Sequence, residues 1–405
     1  MRWVPNNGGG VPLGYLTQRP FVLAGGPFAF WARLPSALFS AASCWVVFAL
    51  CRALRLPRST AIFAVGVFMI VPAQFRYATE ARPYSEAMCF MLLAMLAIVK
   101  WMHLPRLRMI SLGLLAMVAG LYTQPYTALA LFGLCAWYAL SGLQQRNGWR
   151  TAVPLAYLCL SGLLFLPWFM LAARQWDASI QSSGYPKFHW TFALAQDAFK
   201  GISGGSFFCS LSLLLLVALG IRSSAPEIRG LLLSGAVVTI VGALAADSSL
   251  NYFFAARQFL FAVPNLSIIA AVGLTSALRG NRVLGMVAAG IFLVAAVTND
   301  VTMQLNAREN WSAAANLLAR VTRDGYCVEM ASTGQGPITL YSVFVPSLSS
   351  ALCDNLPVQS RVALVSNLAT GTKDLNASED RLRNMRFALQ HTTEVGGTTI
   401  QLEVR

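Results

Sequence analysis

Residues 75–85 read FRYATEARPYS, which puts two arginines, a glutamate and two tyrosines within one short stretch. Arginine presents a planar fork of donors that matches phosphate oxygens. Tyrosine offers a hydroxyl at the level of lipid headgroups, and a glutamate beside arginines can orient a sugar hydroxyl, hold a cation or lock an arginine in place. Apolar runs of membrane-spanning length lie on both sides of the stretch. A charge at mid-bilayer costs roughly 2.5–3.5 kcal/mol on insertion scales, so this cluster belongs at a membrane face or in a protein-lined cavity. There Arg76, Tyr77, Glu80, Arg82, Tyr84 and Glu86 suit a phosphate-bearing lipid. An interfacial belt with one structural Glu–Arg pair accounts for the same residue types more plainly.

Two further stretches carry comparable chemistry. Residues 247–257, DSSLNYFFAAR, bring Asp247, Tyr252 and Arg257 to the start of a late apolar run. Arg257 can bind an anion there or simply snorkel to the interface. Residues 174–206 read as an outer loop holding Trp176, Asp177, Tyr185, Lys187, His189, Trp190 and Asp197. A loop of that length is more than a connector, and its aromatic content suits sugar stacking or membrane contact. A single histidine, His189, reads as an interface residue rather than a metal ligand. Gly8–Gly10 has no preceding strand and no lysine at P-loop spacing, so it reads as flexible loop.

The elements that must position these residues are membrane helices. The chain has 405 residues, of which 56% are hydrophobic and 11% charged, against about 25% charged in a soluble domain. Ten apolar segments are legible, at Leu34–Leu54, Thr60–Ala73, Tyr84–Val99, Met109–Thr123, Tyr126–Leu143, Ala152–Ala173, Ser206–Ile221, Leu231–Ala246, Phe259–Leu278 and Val283–Thr298. In lipid each must satisfy its backbone hydrogen bonds internally, so helix is the reading for all ten. Alternate connectors hold Arg52, Arg55 and Arg58; Lys100, Arg106 and Arg108; Arg146 and Arg150; Arg222 and Arg229; and Arg279 and Arg282, with Glu227 as their one acid. That bias places them in the cytoplasm. The other connectors, with Glu80, Glu86, Asp177, Asp197, Asp247 and Asp300, are then outside. The net charge of +14 is mostly this orienting signal, and no nucleic-acid-binding motif accompanies it.

The ends of the chain differ from its middle. Residues 1–33 carry no signal-peptide pattern, since Asn6, Asn7 and the glycines interrupt any apolar core; they read as part of an outer loop. Residues 34–300 form the membrane domain. Residues 301–405 hold nine of the sixteen acids and no run that spans a bilayer. Here Asn310–Arg320 reads as an amphipathic helix with Trp311, Ala314, Leu317 and Leu318 on one face, and Pro337–Val345 as another short helix. Tyr326–Ala331, Arg361–Asn367 and Thr398–Val404 read as strands. This is a small α/β domain outside the membrane. Cys44, Cys51, Cys89, Cys135, Cys159 and Cys209 lie in or beside apolar runs and serve as packing residues. Cys327 and Cys353 share the exported domain, and an oxidising compartment favours a disulfide between them. No cysteine spacing resembles a zinc site.

Four runs, ARLPSALFS at Ala32–Ser40, RYATEARPYS at Arg76–Ser85, RQFLFAVPNLSIIAAVGL at Arg257–Leu274 and NWSAAANLLAR at Asn310–Arg320, resemble the bacterial branch of the dolichyl-phosphate-mannose–protein mannosyltransferase superfamily, glycosyltransferase family 39. The resemblance follows the same order over nearly the whole chain, and Glu80-Ala81-Arg82-Pro83-Tyr84 is its most specific piece. It implies a GT-C fold of about ten transmembrane helices with a small C-terminal extracytoplasmic α/β domain. It implies an integral-membrane glycosyltransferase of the bacterial inner membrane, taking a sugar from a polyprenyl-phosphate-linked donor to a lipid, glycan or protein acceptor on the outer face. Arg76, Tyr77, Glu80, Arg82 and Tyr84 carry over to the donor site, and Arg257 to the neighbourhood of the lipid phosphate, with Tyr252 beside it. A divalent cation is compatible with the activity, although no metal ligand set is legible.

One departure stands out. The family's first outer loop follows a first helix and carries an Asp-Glu pair whose aspartate is the presumed base. Upstream of Arg33 this sequence has only Arg2 and Arg19 as charged side chains and no acid, and Val11-Pro12-Leu13-Gly14-Tyr15 is a loose counterpart of the loop's continuation. Ten spans also leave both termini outside. The expectation is therefore an N-terminally incomplete member, without its acid–base residue and inactive or nearly so as it stands. Glu80 then supports substrate or cation positioning, while Arg82 and Arg257 meet the charge developing on the leaving phosphate. Two other classes use similar outer clusters: a transporter or flippase of a lipid-linked glycan, which also needs a cytoplasmic site and broken mid-membrane helices, and a non-catalytic membrane scaffold.

Overall fold

A computed structural model describes residues 12–23, 28–182, 189–249, 256–305, 311–331, 345, 347–348, 351–353, 359–367, 372–395 and 398–405. The chain divides into two compact units, residues 1–302 and 303–405.

The first unit is helical: α1 (Pro12–Leu23), α2 (Phe28–Ala53), α3 (Arg58–Ile70), α4 (Pro72–Thr79), α5 (Tyr84–His103), α6 (Leu107–Leu121), α7 (Thr127–Gln144), α8 (Gly148–Ser182), α9 (Phe192–Gly201), α10 (Phe207–Ser223), α11 (Pro226–Ser249), α12 (Val263–Gly280) and α13 (Arg282–Leu305), with a 3-10 segment at Ala256–Ala262. Among the described residues, seven helices are long and apolar enough to cross a membrane, or eight if the bent pair α3–α4 is one span. The runs at Met109–Thr123 and Ser206–Ile221 form the shorter apolar helices α6 and α10, of 15 and 17 residues. The chain is a multi-pass membrane protein.

Burial sorts these helices into a centre and a rim. The apolar stretch of the α12 span is 89% buried inside the protein and that of α5 78%, against 11% for α8 and 22% for α13. A helix apolar all round is stable at the centre only if neighbours cover every side, and at the rim only if lipid does. α12 packs on α3, α10 and α11, and α5 on α2, α6 and α7. Small residues allow the tightest of these contacts. A Cβ on Gly220 of α10 would overlap the Ile269 carbonyl of α12, and one on Gly273 of α12 would overlap the Leu216 carbonyl of α10. Such close backbone approach is the usual device where hydrophobic driving force between helices is absent.

The stretches read as outer loops contain helix. α1 lies within residues 1–33, and of the outer stretch 174–206 the end of α8, to Ser182, and α9, Phe192–Gly201, are helical. α9 has its own N-cap, where the Thr191 hydroxyl accepts from the Leu194 amide at 3.1 Å. α1 is docked from three sides of one face: its Leu13 amide donates to the Tyr122 carbonyl at 3.0 Å, Gly14 lies against Pro83, and Thr17 bonds Glu86. Docking of this kind supports a helix whose sequence, interrupted by Pro20, would not hold alone.

In the second unit a four-stranded sheet has the order β1-β2-β4-β3, with β1 (Cys327–Met330), β2 (Arg361–Asn367), β3 (Ala388–Val395) and β4 (Thr398–Val404). β1 and β2 are parallel; β4 is antiparallel to both β2 and β3. Alternation along the strands splits the core. Val328, Ala363, Val365 and Ile400 pack with Ala314, Ala315 and Leu318 of α14 (Trp311–Arg323). Val362 and Leu364 pack with Leu382 of α15 (Thr372–Asn384) and Phe387. Helices therefore cover both faces, which is why β2 reads as a continuous apolar run. The Cys327–Cys353 disulfide is formed, and Val328 and Leu352 pair as a bridge beside it. Pro337–Val345, read as a helix, lies almost wholly outside the described residues.

Candidate functional site

The site begins with a break in a helix. Val71 is extended, at φ −64° and ψ 125°, because the following Pro72 disfavours helical geometry in its neighbour. Pro72 then starts α4, and α3 and α4 meet at 63°. α4 is two turns long and ends at Glu80, again extended. The turn from Glu80 to Pro83 is stapled: the Arg82 amide donates to the Glu80 carbonyl at 2.9 Å, and the Ser36 hydroxyl of α2 to the Arg82 carbonyl at 3.0 Å. The Ser85 hydroxyl reaches back to the Tyr77 carbonyl at 2.8 Å, tying α5 to α4.

This backbone fixes the side chains of the cluster. Tyr77 and Tyr84 are buried and pack ring on ring, with centroids 4.7 Å apart. Arg76 lies over the Tyr77 ring at 5.7 Å, and Arg257, from the 3-10 segment, over the Tyr84 ring at 6.0 Å. Glu80 faces two guanidinium groups, with Oε1 2.7 Å from Arg76 Nε and Oε2 3.7 Å from Arg82 Nε. Arg76 is thus held by a short charge-assisted bond. Arg82 is held loosely, and its side chain is 53% exposed. Arg76, Tyr77, Glu80, Arg82, Tyr84 and Arg257 form one assembly across α4, α5 and the 3-10 segment. Tyr252 lies outside the described residues.

Other sequence candidates go elsewhere. Glu86 is two residues along α5 from Tyr84, roughly 200° around the helix. It is buried and accepts from the Thr17 hydroxyl of α1 at 2.7 Å. Trp190 and His189 lie in the short stretch before α9, and Asp197 pairs with Lys200 of that helix at 3.6 Å. Tyr185 and Lys187 lie outside the described residues. Among the described residues, no group of three His, Cys, Asp or Glu side chains is placed to hold a metal ion.

Sequence reading named Asp247 within residues 247–257 but gave neither it nor Tyr126 and Gln258 the bracing of the cluster. Asp247, at the end of α11, is fully buried; its Oδ1 accepts from the Tyr126 hydroxyl at 2.7 Å and from Gln258 Nε2 at 3.0 Å. Gln258 follows Arg257 directly, and Tyr126 precedes α7 in the TQPYT break between two apolar runs; those positions were the available signals.

The arginine-rich connectors gather at the far end of the helices. His103, which closes α5, feels Arg55, Arg150 and Glu227 together. The cluster sits at the start of α5, and twenty residues of helix separate the two by ~30 Å.

No protein-family model matches the chain, and no curated protein matches it by sequence. Its fold is similar to that of ArnT from Cupriavidus metallidurans in the apo state, with a TM-score of 0.59 at 11% identity over 97% of this chain and 87% of that one. ArnT from the same organism bound to undecaprenyl phosphate gives a TM-score of 0.55 at 13% identity, over 98% of this chain and 88% of the other. At such identities the likeness is one of fold: the chain has the GT-C architecture.

Proposed function

We propose that this protein is a membrane glycosyltransferase of the family 39 type. It takes a sugar from a polyprenyl-phosphate-linked donor at the outer face of the bacterial inner membrane and passes it to a lipid, glycan or protein acceptor. The observation that carries the reading is the joining of Arg257 to the Arg76–Glu80–Arg82 group through the contacting, mutually tilted rings of Tyr84 and Tyr77. A neighbour of the same fold binds undecaprenyl phosphate, which supports a lipid phosphate as the ligand of this assembly.

The parts divide the work by how tightly each is held. Arg76 is committed to Glu80, so its role is to fix that carboxylate. Glu80 in turn faces Arg82, which suits it to aim the second guanidinium. Arg82 and Arg257 offer donors to a phosphate. As the bond between the anomeric carbon and the phosphate oxygen breaks, negative charge grows on the leaving group, and fixed guanidinium donors stabilise it without reorganising. The two tyrosines give the lipid's first isoprene units an apolar wall. The C-terminal unit stands on the outer side in this reading.

Binding and transfer test it. Full-length protein in nanodiscs should bind undecaprenyl phosphate saturably and neutral undecaprenol no better than bulk lipid, and Arg257→Gln should narrow the difference about tenfold. Equal binding of the alcohol and the phosphate overturns the assignment. Release of undecaprenyl phosphate from an undecaprenyl-phosphate-linked sugar separates transfer from transport, since a transporter returns the donor intact.

A further inference from the structure

Asp247 is a charged group in an expensive place. It is fully buried in the last turns of α11, where the helix dipole disfavours negative charge and burial penalises it further. Its compensation comes from two donors on different elements: the Tyr126 hydroxyl at the entry to α7, 2.7 Å away, and Gln258 Nε2 in the 3-10 segment, 3.0 Å away. Both reach the same oxygen, Oδ1, and Arg257 lies within electrostatic reach of the group. The other side of the segment is pressed by α9, where Gly201 admits Ala256 and Phe259 so closely that a Cβ would touch both at 3.0 and 3.3 Å. Residues 256–262 are therefore clamped between a carboxylate and a glycine, and Arg257 projects from the clamp onto Tyr84.

We propose that Asp247 is the positioning residue for Arg257: through Gln258 it holds the 3-10 segment in the arrangement that presents the Arg257 guanidinium over the Tyr84 ring. The proposal rests on the reading of Arg257 as a lipid-phosphate ligand for its functional consequence, but the clamp itself can be measured without any ligand. A neutral amide oxygen would accept from both donors but more weakly; a carboxylate gives a charge-assisted hold on Tyr126 and Gln258 and answers the positive charge next to it.

The experiment compares three full-length proteins in nanodiscs: wild type, Asp247→Asn, and Asp247→Asn with Gln258→Glu, which returns a carboxylate to the same contact from the opposite side. Hydrogen–deuterium exchange over residues 256–262 should rise in Asp247→Asn, stay unchanged along α5, and return towards wild type in the double variant. Undecaprenyl phosphate affinity should fall about tenfold in the single variant and recover in the double. Unchanged exchange in the single variant overturns the proposal. So does a loss spread evenly over the helices, which would mark Asp247 as merely structural, and so does failure of the double variant to recover protection. If the exchange pattern appears as stated while wild type binds no undecaprenyl phosphate, the clamp stands and the donor-site reading fails.

Discussion

The two ends of the membrane unit hold arginines of opposite use. At the connector end Arg52 donates to the Leu56 carbonyl, Arg229 to the Ile221 carbonyl at 3.3 Å, and Arg150 to Gln145 Oε1 at 2.8 Å. Arg229 reaches a carbonyl in the last turn of α10 and Arg52 one in the connector just past α2, where a positive charge complements the helix dipole. At the other end Arg76, Arg82 and Arg257 lie on a carboxylate and two aromatic rings. A capping arginine spends its donors on its own backbone. An arginine of the cluster is turned instead onto side chains of neighbouring elements. The two groups of arginines thus differ in what they touch: main chain at one end, side chains at the other.

The largest expected effect breaks the comparison directly. Arg82→Gln together with Arg257→Gln should weaken undecaprenyl phosphate binding by about a hundredfold or more, as two charge-assisted contacts are lost. Arg52→Gln with Arg229→Gln should leave it within about threefold, since exposed charge at a distance is screened. Equal losses, measured by the same nanodisc titration, would mean that net charge alone attracts the lipid.

A smaller effect sharpens it. Glu80→Gln leaves the arginines in place but removes their brace, and binding should fall by about tenfold. Tighter binding in that variant would show that Glu80 repels the phosphate instead of aiming its partners.

The smallest effect lies outside the membrane unit. Glu403 in β4 is buried, which raises its pKa; the nearby Glu379 raises it further and Arg383 partly offsets both. A carboxyl whose folded pKa lies above its unfolded value favours folding when protonated. Its contribution is full below the ordinary glutamate range of ~4.3 and is lost as pH rises through the folded value. Glu403→Gln should therefore raise the unfolding midpoint of the C-terminal unit at neutral pH by about 1–2 °C, and the gain should shrink as pH falls towards 4. Calorimetry of the full chain at two pH values reads both.

Much of the frame was legible because lipid imposes long apolar runs, and the described helices follow the ten runs closely. Thr60–Ala73 hid a bend that only its proline betrayed. α1 and α9 went unread because they are short and partly polar, and their stability comes from docking contacts such as Thr17 on Glu86. α15 was missed for a similar reason: in TKDLNASEDRLRN only Leu375 and Leu382 face the core. β3 is almost wholly exposed and has no alternation to see. At the site, residues 75–85 announced five of the six side chains, Arg76, Tyr77, Glu80, Arg82 and Tyr84, and Arg257 announced the segment. The brace did not show, because Asp247, Tyr126 and Gln258 are brought together only by packing. Three acids read as outer-face charges, Glu86, Asp247 and Asp300, are in fact buried, since sequence gives the depth of a loop but not which of its side chains turn inward.

The glycine contact between α10 and α12 reaches further than its own neighbourhood. Gly273 stands ten residues from the start of α12, or ~15 Å along the axis, and the segment bearing Arg257 leads straight into that start. Helices whose main chains touch cannot slip past each other, so α12 behaves as a beam bolted at mid-length. A single added methyl at Gly220 or Gly273 would pry the bolt loose, and the tilt would be magnified at the tip, where a few tenths of an ångström decide whether a guanidinium meets its anion.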